Sequence, residues 1–167
     1  KMSQKGIALA LEELEKASIL KSRKHGPLRY FRLNKDYPEI KDVITIAELM
    51  RKNEFLAKQR KLAYTFKEDE RIVGIFGSYA KGTQKEGSDI DLFVIGQKKK
   101  EDYNALGKRF GLDISIKYFS KSDWAKLAKE KNNLCQEIIK NHIVIFNAEM
   151  FIELIWGGVL WFPLNGA

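Results

Sequence analysis

Asp89, Asp91 and Asp113 are the side chains of this sequence best suited to chemistry. The first two stand one residue apart in DIDLFVI, ten residues after the pair Gly77-Ser78, and the third sits inside LDISI. Alternation along a strand places Asp89 and Asp91 on one face, roughly 7 Å apart at Cα, and Ile90, Leu92 and Val94 on the other. Two carboxylates so placed repel each other unless a cation stands between them. Magnesium suits the position, because it is a hard ion that takes carboxylate oxygens together with substrate phosphates. In LDISI, Asp113 and Ser115 share one face while Leu112, Ile114 and Ile116 share the other, and an Asp in so apolar a strand is costly without a partner. If the two strands are neighbours, three carboxylates surround one point.

The segment before the acids prepares a seat for phosphate. RIVGIFG, residues 71–77, reads as a buried strand of β-branched and aromatic residues. Gly77 leaves room for close approach, and SYAK after it starts a short helix whose leading N–H groups attract an anion. Lys81 adds a positive charge one turn on. The segment is not a Walker A loop, since Gly82 is followed by Thr83. Taken alone, Asp-x-Asp after Gly87-Ser88 is as readily a turn and strand cap. The conjunction of strand, Gly-Ser, spacer, Asp-x-Asp and a later Asp in a strand is the specific signal.

That conjunction resembles the nucleotidyltransferases of the DNA polymerase β superfamily over roughly residues 66–155. The ten-residue spacer resembles the minimal nucleotidyltransferases, including the antitoxins paired with HEPN-type toxins. The resemblance implies an α+β fold, a small mixed sheet with helices on one side. It implies that Gly77, Ser78 and Lys81 bind the phosphates of ATP or another nucleoside triphosphate. It also implies that Asp89, Asp91 and Asp113 hold two magnesium ions, with Asp113 helping to take the proton of the attacking hydroxyl. The expected reaction is transfer of NMP, with AMP from ATP foremost, to a hydroxyl. The acceptor that the antitoxin likeness brings is a HEPN-type toxin protein; a small molecule of the antibiotic type is the alternative.

Upstream, Ser3 reads as an N-cap, and Ile7, Leu9, Ala10, Leu11 and Leu14 recur near helical spacing up to Ala17. Two short strands, 19–22 and 28–33, follow around His25-Gly26-Pro27. Helix, strand, basic turn and strand resemble the back half of a winged helix-turn-helix, a remnant whose first two helices are expected upstream of Lys1. A native start upstream of Lys1-Met2 is expected as well. The resemblance makes DNA a partner, through Ser3, Gln4 and Lys5 on the recognition helix and Arg23, Lys24 and Arg29 on the wing. The other reading of the same segment is a helix and hairpin that makes a protein or dimer contact.

These elements divide the chain into a winged-helix remnant at 1–36, a helical connector at 37–66, the nucleotidyltransferase domain at 67–155 and an apolar tail at 156–167. The connector carries one long helix from about Ile44 to Phe66, broken near Lys52-Asn53. Residues 120–141 read as a helix capped by Ser120 or Ser122, and HIVIF as a last strand. In the tail, Trp156, Leu160, Trp161 and Phe162 either fill the core or mark a homodimer or partner surface.

Composition bounds the rest. A chain of 167 residues, 44% hydrophobic, makes a globular domain with a small appendage. The net charge of +8 includes Lys21, Arg23, Lys24, Arg29 and Arg32 in one stretch free of acids, which suits phosphate or simple solubility. No apolar run approaches the ~20 residues of a membrane span. With no secretory pattern at its start and a lone Cys135, the expected compartment is the cytoplasm. Cys135, His25 and His142 are too few and too scattered for zinc, and are assigned to packing or surface. Two readings stand together: an enzyme with an appended DNA-binding module, and a DNA-binding regulator whose transferase domain senses a nucleotide.

Overall fold

The structure, a computed structural model, describes residues 3–99 and 103–156. It divides into two compact units, one reaching to Ile44 and one beginning at Thr45.

The first unit opens with α1 (Gln4–Lys16), whose N-cap Ser3 accepts a hydrogen bond from Gly6 N as its residue type leads one to expect. Strands β1 (Leu20–His25) and β2 (Leu28–Leu33) pair antiparallel from Leu20↔Leu33 to His25↔Leu28. Gly26 and Pro27 make the turn, with Gly26 at φ +59°, a left-handed conformation that glycine adopts without a Cβ penalty. The hairpin runs to His25, three residues further than the apolar pattern indicates. Backbone pairing carries it through the basic residues Arg23 and Lys24.

The connecting helix ends near Phe66 as expected but differs in its start and in the place of its break. Helix α2 runs Ile40–Lys58, and the break falls at Gln59, whose ψ of 61° leaves the helical region, before α3 (Arg60–Thr65). The break lets Leu62 join Phe55 and Leu56 on one apolar cluster.

The second unit is built on a mixed four-stranded sheet in the order β5-β4-β3-β6. β3 (Ile72–Phe76) and β4 (Ile90–Ile95) are antiparallel, as are β3 and β6 (Ile143–Phe146), while β4 and β5 (Ile114–Phe119) are parallel. A parallel pair needs a crossover, and α5 (Tyr103–Arg109), which no sequence pattern announced, lies within it.

Helices cover both faces of this sheet, not one. β3 is buried at every position and β4 at every position except Asp91, so neither face can be left to water. One face packs Val73, Ile75, Leu92, Val94 and Ile114 against Leu62 of α3 and Tyr103 of α5. The other carries Phe93, which meets Trp124 of α6 (Lys121–Lys129) and Phe151 of α8 (Ala148–Trp156) at ring-centroid distances of 6.3 and 5.4 Å. Gly74 makes this second face possible. A Cβ there would stand 2.3 Å from the Phe93 ring, which lies over β3 at that point.

The single helix expected over 120–141 is two. Ser120 caps α6 in a reciprocal capping box with Asp123. The chain then turns through Lys131 at φ 53°, and Asn132 caps α7 (Asn133–Lys140) through Leu134 N and Cys135 N. Phe151, Ile152 and Ile155 of α8 are core; of the apolar tail, Trp156 ends that helix, while Leu160, Trp161 and Phe162 lie outside the described residues.

Candidate active site

The acids stand where β4 enters the sheet. Asp91 is its second residue, paired with Phe76 across β3 and with Ser115 across β5. Asp89 lies just before the strand, on an exposed loop, and Asp113 lies just before β5, its carbonyl accepting from Ile90 N at 2.8 Å. Parallel register therefore sets Asp89 beside Asp113 and Asp91 beside Ser115, all on the face that also carries Phe93. Asp89 and Asp113 are exposed and Asp91 is half-buried.

Asp91 feels this setting electrostatically. Burial first, and the Asp89 charge second, push its carboxyl above the usual carboxylate range, with Glu137 adding to the rise and Lys117 opposing it. Gly77 supplies the other wall. The chain leaves β3 there at φ +69° into α4 (Gly77–Lys81), and a Cβ on Gly77 would lie 2.4 Å from Asp91 Oδ2. The helix N-cap, Phe76, makes no side-chain capping bond to the first N–H groups of α4. Gly82, at φ 70°, closes the helix in the left-handed conformation.

A divalent cation fits these residues. The donors are hard carboxylate oxygens, a charge between them would relieve the repulsion that raises Asp91, and the missing side chain of Gly77 leaves space at Asp91 Oδ2. Among the described residues, no three acidic, His or Cys side chains are gathered closely enough to form a ready metal cage.

Lys81 does not point freely into the site. Its Nζ is 2.6 Å from Glu137 Oε1, on α7. Glu137 and Lys117 are the two charged neighbours of Asp91 that sequence reasoning missed. Lys117 was legible by alternation, two residues beyond Ser115 on the face of Asp113. Glu137 was not, because its position depends on the break between α6 and α7.

The residues assigned to DNA lie in the first unit. Ser3 is spent as the N-cap, and Gln4 and Lys5 are exposed in the first turn of α1. Arg29 turns onto α1, where it pairs with Glu15, stands 3.6 Å from Glu12 and donates from Nε to Ser22 Oγ at 2.9 Å. Arg23 and Lys24 are exposed along β1.

The family described as polymerase beta, nucleotidyltransferase, matches residues 60–150, more than half of the chain. The chain belongs to that nucleotidyltransferase family. The matched span contains α3 through the start of α8, and so the whole four-stranded sheet together with Asp89, Asp91, Asp113 and Glu137. A candidate protein adenylyltransferase of Methanocaldococcus jannaschii is 36% identical over 83 residues, 48% of this nucleotidyltransferase and 60% of that protein. The chain thus spans about three-fifths of the length of that curated relative. A crystal structure of a toxin-antitoxin with AMP-PNP is 17% identical, covering 57% of this chain and 77% of its own, with a TM-score of 0.37. A score that low marks a loose likeness only. No helix among the described residues is long and apolar enough to cross a membrane.

Proposed function

We propose that this protein transfers AMP from ATP to a hydroxyl on a partner protein. The observation that carries the reading is the juxtaposition of Asp89 and Asp91 with the space at Gly77, inside a nucleotidyltransferase domain. The likeness to a candidate protein adenylyltransferase supports the adenylyl donor and the protein acceptor. A HEPN-type toxin, which the motif resemblance brings with it, is one such acceptor.

In this reading Gly77 and Ser78 hold the phosphates through backbone N–H groups, and Lys81 supplies a positive charge to them. Asp89, Asp91 and Asp113 would hold magnesium ions, which supply charge neutralisation at the α-phosphorus and activation of the acceptor oxygen. The acceptor oxygen bonds to the α-phosphorus as the bond to the β-phosphate breaks, and pyrophosphate leaves. The hydroxyl proton passes to the carboxylate of Asp113. Lys117, beside Asp91, limits the negative charge that the three acids present to an incoming triphosphate.

The test is incubation with α-labelled ATP and magnesium, alone and with lysate, against Asp89→Asn/Asp91→Asn. Label on a protein with the wild type only supports the reading. Label on a small molecule moves the acceptor class. Tight nucleotide binding without transfer replaces the enzyme by a nucleotide sensor.

The exposure of Arg23 and Lys24 on β1 supports a second activity, binding of DNA by the helix and hairpin of the first unit. A mobility shift that weakens steeply with salt and vanishes in Arg23→Ala/Lys24→Ala is expected; no shift at low salt rejects it.

A further inference from the structure

The ion pair between Lys81 and Glu137 joins two unlike supports. Glu137 is carried by a fixed helix. Asn132 caps α7 at one end, and Cys135 and Ile138 bury fully beneath it. At the other end His142 Nδ1 lies 2.9 Å from the carbonyls of both Ile138 and Ile139, so it carries the proton and donates, while Arg51 Nη2 donates to His142 O at 2.8 Å. Lys81 has no such anchorage. It is the last residue of a five-residue helix, followed by Gly82 and an exposed loop, and its charge sits on a flexible four-carbon stem. Both side chains are about two-fifths exposed, at 39% and 41%. An exposed pair of this kind holds its cation by no more than about five-fold, so a triphosphate with several negative charges competes successfully for it.

We propose that Glu137 is a positioning residue of the nucleotide site: it parks Lys81 beside the acids while the site is free of nucleotide, and yields Lys81 to the triphosphate when that binds. The inference rests on the reading of Asp89, Asp91 and Gly77 as a nucleoside triphosphate site. Geometry brings the pair to that site: α4, which carries Lys81, begins at Gly77, whose Cβ position abuts Asp91. Without nucleotide, the pair keeps an unpaired lysine from settling on Asp89 or Asp91 and occupying the place of a cation. With nucleotide, the lysine is already within a side chain's reach of the phosphates, and little ordering remains to be done.

The experiment is a double-mutant cycle on the full chain, read as the dissociation constant of a non-hydrolysable ATP analogue with magnesium. Lys81→Met should weaken binding. Glu137→Gln should tighten it about three- to five-fold at low salt, an effect that shrinks as salt is raised. In the Lys81→Met background, Glu137→Gln should change nothing further. A Glu137→Gln chain that binds the analogue as the wild type does overturns the inference, and so does an equal tightening with and without Lys81, which would mean that Glu137 acts on the ligand through its own charge. Thermal melting of each variant separates these effects from loss of fold. A wild-type chain that binds no triphosphate would instead defeat the assignment of the site itself, and the inference with it.

Discussion

Gly77 and Asp91 occupy each other's space: the position that any other residue's Cβ would take at Gly77 lies 2.4 Å from Asp91 Oδ2. The Gly of the Gly-Ser motif is thus required twice, by a φ of +69° and by the carboxylate it must not touch.

Gly77→Ala should therefore lower stability by about 1–2 kcal/mol through the left-handed backbone alone, and displace Asp91 in addition. A displacement on the scale of an ångström costs about 100-fold in transfer rate. Gly82→Ala is the control, since Gly82 has φ +70° with nothing within 4 Å of its Cβ position. It should lose similar stability in a denaturant titration and keep most of the activity. Equal activity loss in both variants would show that backbone strain, and not the collision with Asp91, is responsible.

Asp91→Asn should separate stability from function. Burial and the Asp89 charge both disfavour the Asp91 carboxylate, so the neutral amide removes an unfavourable charge. The melting temperature near neutral pH should hold or rise while labelled transfer falls by at least about 100-fold. A clear drop in melting temperature would show that the carboxylate holds the fold together.

Acid sensitivity should come from the far end of the sheet. Burial alone would raise the Asp69 carboxyl, but the side chain and backbone N–H of Arg71 and the Tyr103 hydroxyl outweigh it and hold the group well below the usual carboxylate range. The folded state thus favours the charged form. Its contribution is complete above the unfolded value near pH 4 and drains away as pH falls toward the lower folded value. Asp69→Ala, which leaves Arg71 buried without its main partner, should cost about 3–5 kcal/mol and flatten the decline in stability below pH 4. A decline as steep as the wild type's would assign acid sensitivity elsewhere.

Cys135 should be inert in the native protein. It is fully buried beneath α7, and burial pushes its thiol up to about 11. At pH 8 a thiol reagent should modify it only as fast as the chain opens, and denaturant should accelerate the reaction by orders of magnitude. Rapid native labelling would show that the buried face of α7 opens in the native state.

The sequence made some of this legible and hid the rest for identifiable reasons. Asp89, Asp91 and Asp113 were readable because alternation in an apolar strand makes a carboxylate conspicuous, and their shared face followed from period two. Ser3 and Ser120 were readable as caps because their side chains act on backbone a few residues away. The helix breaks at Gln59 and at Lys131 were not readable. Neither site carries proline or glycine, and the break at Gln59 serves packing of Leu62 against a sheet whose place is set by distant residues. Coverage of both sheet faces was hidden in the same way: Gly74 reads as a weakness in a strand until Phe93 is seen lying across it.

The two neighbouring acids differ in how they are mounted. Asp91 is held in a ladder with Phe76 on one side and Ser115 on the other, whereas Asp89 ends an exposed stretch that follows Gly82. Such a jaw has one plate set in the sheet and one carried by a loop. In the proposed ion site, substitutions or length changes between Thr83 and Ser88 would change its gape for ions of another radius while sparing the buried strands, which makes this short loop the place where an engineer would adjust selectivity first.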